Sequence, residues 1–161
     1  MKLDCLTGDT VVDFRLSTKR NVTIYTLKDF YAYFHSTYQT PVICEKNIKT
    51  LTGLNTKYTT VKSIIRAGIR RVRIIKLENG FNVTTTAEHK IGIRFYDFMA
   101  AKHLMEGDLI RICLKDNKIG FSIIESFSDW FEQPVYNVIC AEPNNHFLAN
   151  KIHVGGFEGE L

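Results

Sequence analysis

Asn79-Gly80 stands between two β-rich runs, Arg71 to Leu77 and Phe81 to Thr86, and this arrangement limits the chain more than any other. Both turn positions accept positive φ, so the pair predicts an antiparallel hairpin. The same grammar extends along the sequence. Val22 to Tyr25 is a short run. Leu109 to Leu114 and Phe121 to Glu125 flank Asp116-Asn117-Lys118, and Val135 to Cys140 and Lys151 to Val154 close the set. Short strands divided by turn residues predict an all-β fold. Two short helices interrupt it. Thr26 can cap Leu27 to His35, with Asp29 at the third helical position as in a capping box. Asp97 can cap Phe98 to Met105, which Gly107 stops. Residues 37–60 are weakly patterned and read as loop-rich. Ser63-Ile64-Ile65 and Ser122-Ile123-Ile124, each ahead of a later strand, form a faint internal echo that hints at two related halves.

At 161 residues the chain is one domain with room for a core. No apolar run approaches the ~18 residues needed to span a membrane, and Met1 to Asp4 is too short and polar for a signal peptide. The net charge of +4 is mild. Arg66, Arg70, Arg71, Arg73 and Lys76 cluster, but strand alternation divides them between two faces and no interleaved aromatic residues accompany them. A solvated surface is expected there, not a nucleic-acid partner. Cys5, Cys44, Cys113 and Cys140 contain no Cys-x-x-Cys pair. Cys113 and Cys140 lie in strand-like runs, where a thiol packs as a small hydrophobe. Reduced thiols are expected, which favours a reducing compartment such as the cytoplasm. Nothing else in the chain gives an address.

Three segments can carry chemistry. Cys5 opens Cys5-Leu6-Thr7-Gly8-Asp9-Thr10, a thiol followed by a turn and a β-branched run. A thiolate is a strong nucleophile whose pKa, ordinarily ~8.5, responds to its neighbours. Cys5 adjoins the carbonyl of Asp4, so intramolecular attack would move that acyl group from nitrogen to sulfur. The step is uphill for an unstrained amide. It needs a distorted bond or preorganised oxyanion donors, each worth about 3–4 kcal/mol. Thr86-Ala87-Glu88-His89 spans a tight turn. His89 can protonate the departing nitrogen, while Thr86 can orient that imidazole or donate to the oxyanion. His146 and His153 are further imidazoles near the end of the chain. Taken singly, each has a plain structural alternative: an ordinary cysteine, a surface turn, satisfied histidines.

In this order the segments resemble the Hedgehog/intein (HINT) superfamily, and within it a mini-intein or bacterial-intein-like self-processing domain. Cys5 to Thr10 looks like the first splicing motif and Thr86 to His89 like the Thr-x-x-His motif. Ala101-x-x-Leu104-x-x-Gly107-Asp108 is similar to the signature that follows. Val135-Tyr136-Asn137-Val138 with Asn145-His146-Phe147-Leu148-Ala149-Asn150 looks like the penultimate motif. The resemblance implies a horseshoe of two pseudo-symmetric halves with two short helices. Residues 1–4 would be an upstream flank, 5–156 the domain and 157–161 a downstream flank. It implies catalytic roles for Cys5, Thr86, His89, His153 and Asn137, with Asp4, Gly155 and Gly156 flanking the scissile bonds.

Two departures alter what is expected. Family members usually end this segment with His-Asn and a nucleophile; by spacing, Gly155, Gly156 and Phe157 stand there. Glycine has no carboxamide to cyclise, so full splicing is not expected. The usual Asp after Val-Tyr is Asn137, which cannot titrate. What remains is thioester formation at Asp4-Cys5, then cleavage or ligation of the upstream segment in a single turnover. The partners are the chain's own flanking segments and a thiol or amine nucleophile, acting on a monomer. No cofactor is required. Zinc suits cysteine sulfur and imidazole nitrogen, and at Cys5, His89 and His153 it would inhibit. The alternatives are an inactive or metal-regulated module of the same fold, or a splicing domain trapped by substitution. A papain-like protease acting in trans fits poorly, because its nucleophile opens a helix while Cys5 precedes a turn and a strand.

Overall fold

The computed structural model describes residues 5–16, 23–38, 42–43, 48–51, 58–94, 97–115, 118–140 and 146–155. Strands dominate. The first five are β1 (Leu6–Thr7), β2 (Val11–Leu16), β3 (Thr23–Thr26), β4 (Val42–Ile43) and β5 (Ile48–Leu51). The middle group is β6 (Tyr58–Leu77), β7 (Asn82–Thr86), β8 (Lys90–Ile93), β9 (Asp97–Ala100) and β10 (Leu109–Cys113). The last are β11 (Ile119–Phe127), β12 (Phe131–Cys140), β13 (His146–Ala149) and β14 (Ile152–Gly155). Helix α1 (Leu27–Tyr38) lies between β3 and β4, and a 3-10 turn covers Ala101–His103.

The strands form one antiparallel network in the order β11-β10-β8-β14-β13-β2-β5-β6-β12-β1-β7, which closes on itself through β6–β7 and β11–β6. Strand β6 makes this closure possible. At 20 residues it is long enough to pair with β4, β5, β7, β11 and β12 at different points along its length. Inward residues from all parts of the network meet in one core, including Leu6, Ile75, Val83, Ile91, Ile110, Ile124, Phe147 and Val154. Fully burying such a side chain contributes about 1.5–3 kcal/mol. Leu27 and Phe30 add the apolar stripe of α1 at i, i+3 spacing.

The all-β expectation holds, and the local differences have identifiable causes. The Asn79-Gly80 hairpin forms with a three-residue loop, Glu78 to Gly80, closed by Leu77 N–H to Phe81 O at 2.8 Å. Only Gly80 takes positive φ, +93°. Asn79 instead accepts the Phe81 N–H through Oδ1 at 3.1 Å, so its side chain builds the turn that its backbone was expected to build. Helix α1 begins where expected, with Asp29 N–H on Thr26 Oγ1 at 3.3 Å. The second expected helix, Phe98 to Met105, is a strand followed by the 3-10 turn. Asp97–Ala100 pairs with the outer edge of β8, and the amides of Ala101 and Lys102 go to His89 O and Ala87 O, not to a helical ladder. Residues 37–60 were expected to be loop-rich, but their described parts are the end of α1 and segments of β4, β5 and β6, held by pairing with β2 and β6; residues 39–41, 44–47 and 52–57 lie outside the described residues.

Arg66, Arg70 and Arg71 are exposed, as expected for a solvated face. Arg73 is not: its guanidinium lies over Phe127 at 4.0 Å and Trp130 at 4.8 Å, and donates to Ala101 O at 3.2 Å. Burial pushes its pKa below the ordinary value. Among the described residues, Cys5 and Cys113 form no disulfide, and no helix is long and apolar enough to cross a membrane. Cys44 lies outside the described residues.

The β13–β14 turn rests on Asn150 and Lys151, at φ +51° and +65°. Asn150 compensates for the left-handed backbone. Its Oδ1 accepts Val11 N–H at 2.7 Å and its Nδ2 donates to Asn82 O at 2.9 Å, which ties β14 to the start of β2. Lys151 has no such compensation from its side chain among the described contacts. Lys151→Gly is expected to raise stability by roughly 0.5–1 kcal/mol, the relief of left-handed strain exceeding the entropy glycine adds to the unfolded chain. A thermal melt should show a rise of about 1–3 °C.

Candidate active site

Cys5 enters the fold between two strands. Leu6 pairs with Tyr136 of β12 on one side and with Thr85 of β7 on the other. Antiparallel register then sets Asn137 opposite Cys5 across one ladder and Thr86 opposite it across the other. Both contacts form. The Cys5 thiol donates to Asn137 Oδ1 at 2.8 Å. The Cys5 backbone N–H donates to Thr86 Oγ1 at 3.0 Å, and the Thr86 N–H returns a bond to Cys5 O at 3.1 Å. Cys5 is wholly buried, packed with Val72, Val135, Ala67 and Phe131.

The sulfur and the amide nitrogen of one residue are therefore held by two side chains far away in sequence. Thr86 Oγ1 receives the N–H of Cys5, the nitrogen to which the sequence also assigned His89 as proton donor. Asn137 is a neutral acceptor for the thiol. A carboxamide can also turn its Nδ2–H toward a thiolate, so the same residue can serve both ionisation states.

His89 is buried at the foot of the Thr86–His89 turn. Its N–H donates to Thr86 O at 3.3 Å and its carbonyl accepts Ala101 N–H at 2.8 Å. Lys102 braces the same turn twice, through its N–H to Ala87 O at 2.9 Å and its Nζ to Glu88 at 2.7 Å. The segment expected to be a helix thus holds the Thr-x-x-His turn in place.

His153 is buried on β14, where Arg111 Nε donates to its Nδ1 at 2.7 Å. Among the described residues no group of three or more His, Cys, Asp or Glu is placed to share a metal ion. Gly155 ends β14 and pairs with His146 of β13. Asp4 and Gly156, named from the sequence as scissile flanks, lie outside the described residues. Arg111 was missed as a site residue. Its signal was present, an arginine between Ile110 and Ile112 in a strand, but alternation alone assigns it to a wet face. Both faces of β10 are covered, and Arg111 is 0% exposed.

No protein-family model matches this chain, and no curated protein does. Solved structures do match it. A DnaB intein from Synechocystis sp. PCC 6803 superposes with a TM-score of 0.72 at 18% identity, over 96% of this chain and 99% of that one. The VidaL intein gives 0.77 at 16% identity, over 96% and 98%. The transcription factor IIB Mvu mini-intein gives 0.80 at 10% identity, over 94% and 99%. At such low identity it is the path of the backbone that is shared, and by that measure this chain has the Hedgehog/intein fold.

Proposed function

We propose that the chain is a self-processing domain that forms a thioester at the bond between residues 4 and 5. The observation that carries this reading is the double hold on Cys5: sulfur on Asn137 Oδ1, amide N–H on Thr86 Oγ1, both buried. In the step, Cys5 Sγ bonds to the carbonyl carbon of residue 4 and the C–N bond breaks. The thiol proton ends on the released amine of Cys5, with His89 as its carrier. A small thiol then exchanges with the thioester, releasing the upstream segment and restoring Cys5. An amine in its place ligates the segment to a new partner. Splicing does not follow, since Gly155-Gly156 offers no carboxamide for cyclisation.

The test is intact mass of the chain carrying an upstream segment, with and without dithiothreitol. The expected result is thiol-accelerated loss of the segment, abolished in Cys5→Ala. Cleavage that persists in Cys5→Ala overturns the reading. A full-length mass after long incubation with thiol favours the second reading, an inactive module of the same fold, to which the missing His-Asn pair points.

A further inference from the structure

Arg111 and His153 stand outside the thioester step, yet both are buried and closely fitted. Besides the 2.7 Å bond from Arg111 Nε to His153 Nδ1, Arg111 Nη1 donates to the carbonyls of Ile93 at 3.3 Å and Arg94 at 3.4 Å. Phe98 of β9 covers both groups. Its ring centre is 5.0 Å from Arg111 Cζ and 5.3 Å from the His153 ring, which it meets edge-on. Gly92 of β8 makes the room. A Cβ there would stand 2.9 Å from Arg111 Nη2 and 3.1 Å from His153 Cβ. Strands β8, β9, β10 and β14 thus meet around one guanidinium–imidazole pair.

The chemistry of the pair is one-sided. A guanidinium is always charged and has no acceptor, so the nitrogen it donates to must carry a lone pair. A neutral imidazole that accepts at Nδ1 holds its proton at Nε2. We infer that Arg111 is a positioning residue that locks His153 as the neutral Nε2–H tautomer, making it a fixed hydrogen-bond donor, not a base, on the strand that runs into Gly155. Protonating Nδ1 would set N–H against N–H beside a permanent cation. Among the described side chains, Lys90 of β8, whose Cβ lies 3.2 Å from where a Cβ on Gly155 would be, is a further cation near this strand. Phe98 of β9 and Leu148 of β13 bring no charge. The same lock denies His153 Nδ1 to a metal ion.

The test is nitrogen-15 spectroscopy of the histidine side chains in the Cys5→Ala chain, with His153 assigned by its loss in His153→Asn. This background leaves the upstream bond intact, so the result stands apart from thioester formation. The expected spectrum at pH 8 shows an unprotonated Nδ1 and a protonated Nε2 on His153. Arg111→Gln keeps a planar side chain and removes the charge. A carboxamide can donate or accept, so the Nδ1–H form of His153 should gain at least tenfold in that variant. A protonated Nδ1 at pH 8 in the chain that retains Arg111 overturns the inference; so does a His153 signal indifferent to Arg111→Gln. If that variant fails to fold, the spectrum of the Arg111 chain decides alone.

Discussion

Thr86→Val is expected to slow thiol-induced release of the upstream segment by roughly 100-fold while the fold persists. Thr86 Oγ1 receives the Cys5 N–H at 3.0 Å. In the proposed acyl shift that nitrogen is the leaving group. In the amide its lone pair is delocalised and the group is planar. As the C–N bond breaks, the nitrogen becomes pyramidal and takes up a proton. A hydroxyl oxygen on the N–H holds the group through this change, so contact with it is strongest where the nitrogen turns into an amine. Valine keeps the shape and β-branching of threonine, and the return bond from the residue 86 N–H to Cys5 O at 3.1 Å survives. The Cys5 N–H is left buried without its acceptor, which costs about 1–3 kcal/mol of stability. Thr86→Ser restores the oxygen and should act nearly as the unaltered chain does. Release rates by intact mass, read beside melting temperatures, separate the two effects. A Val variant that melts lower but cleaves at full rate removes Thr86 from the chemistry.

Asn137→Asp is expected to cut the thiolate population of Cys5 at neutral pH by roughly 10- to 100-fold. The sign follows from charge. Asn137 is neutral, so the pair has a single proton to lose, from sulfur, and the amide meets the thiolate with Nδ2–H. An aspartate 2.8 Å from the sulfur adds a second titrating group. One proton then leaves the pair early, and the second must leave against a negative charge in a buried site. The thiolate accordingly appears at higher pH, in a two-step titration that belongs to the pair. Thiolate ultraviolet absorbance against pH, with Cys5→Ala as the blank, measures this directly. An unshifted curve, or one moved to lower pH, would show that Asn137 does not govern the thiol.

Much of the site was legible because it rests on residue type within short segments. Cys5 before a turn and Thr86-x-x-His89 across one are local patterns, and the structure brings Cys5 and Thr86 into direct contact. Asn137 was legible as a position but not as a partner. Its bond to the thiol depends on the register that sets Leu6 opposite Tyr136, and no segment read by itself contains that register. Phe98 to Met105 was misread for a related reason. Its capping residue and spacing suit a helix, but β8 offers an open edge and the Thr86–His89 turn offers two carbonyls. Those long-range partners outweigh helix propensities of a few tenths of a kcal/mol per residue.

From its sequence alone the chain was bound to fold as short antiparallel strands, since alternation and turn residues act between neighbours and need nothing distant. Tertiary structure decided which groups meet. Cys5 and Thr86 are 81 residues apart, Cys5 and Asn137 132, and Arg111 and His153 42. Contacts over such distances depend on how a closed sheet is wound. A wound sheet can bury both faces of a strand such as β10, and so turn an arginine that alternation sends to solvent into the buried partner of a histidine.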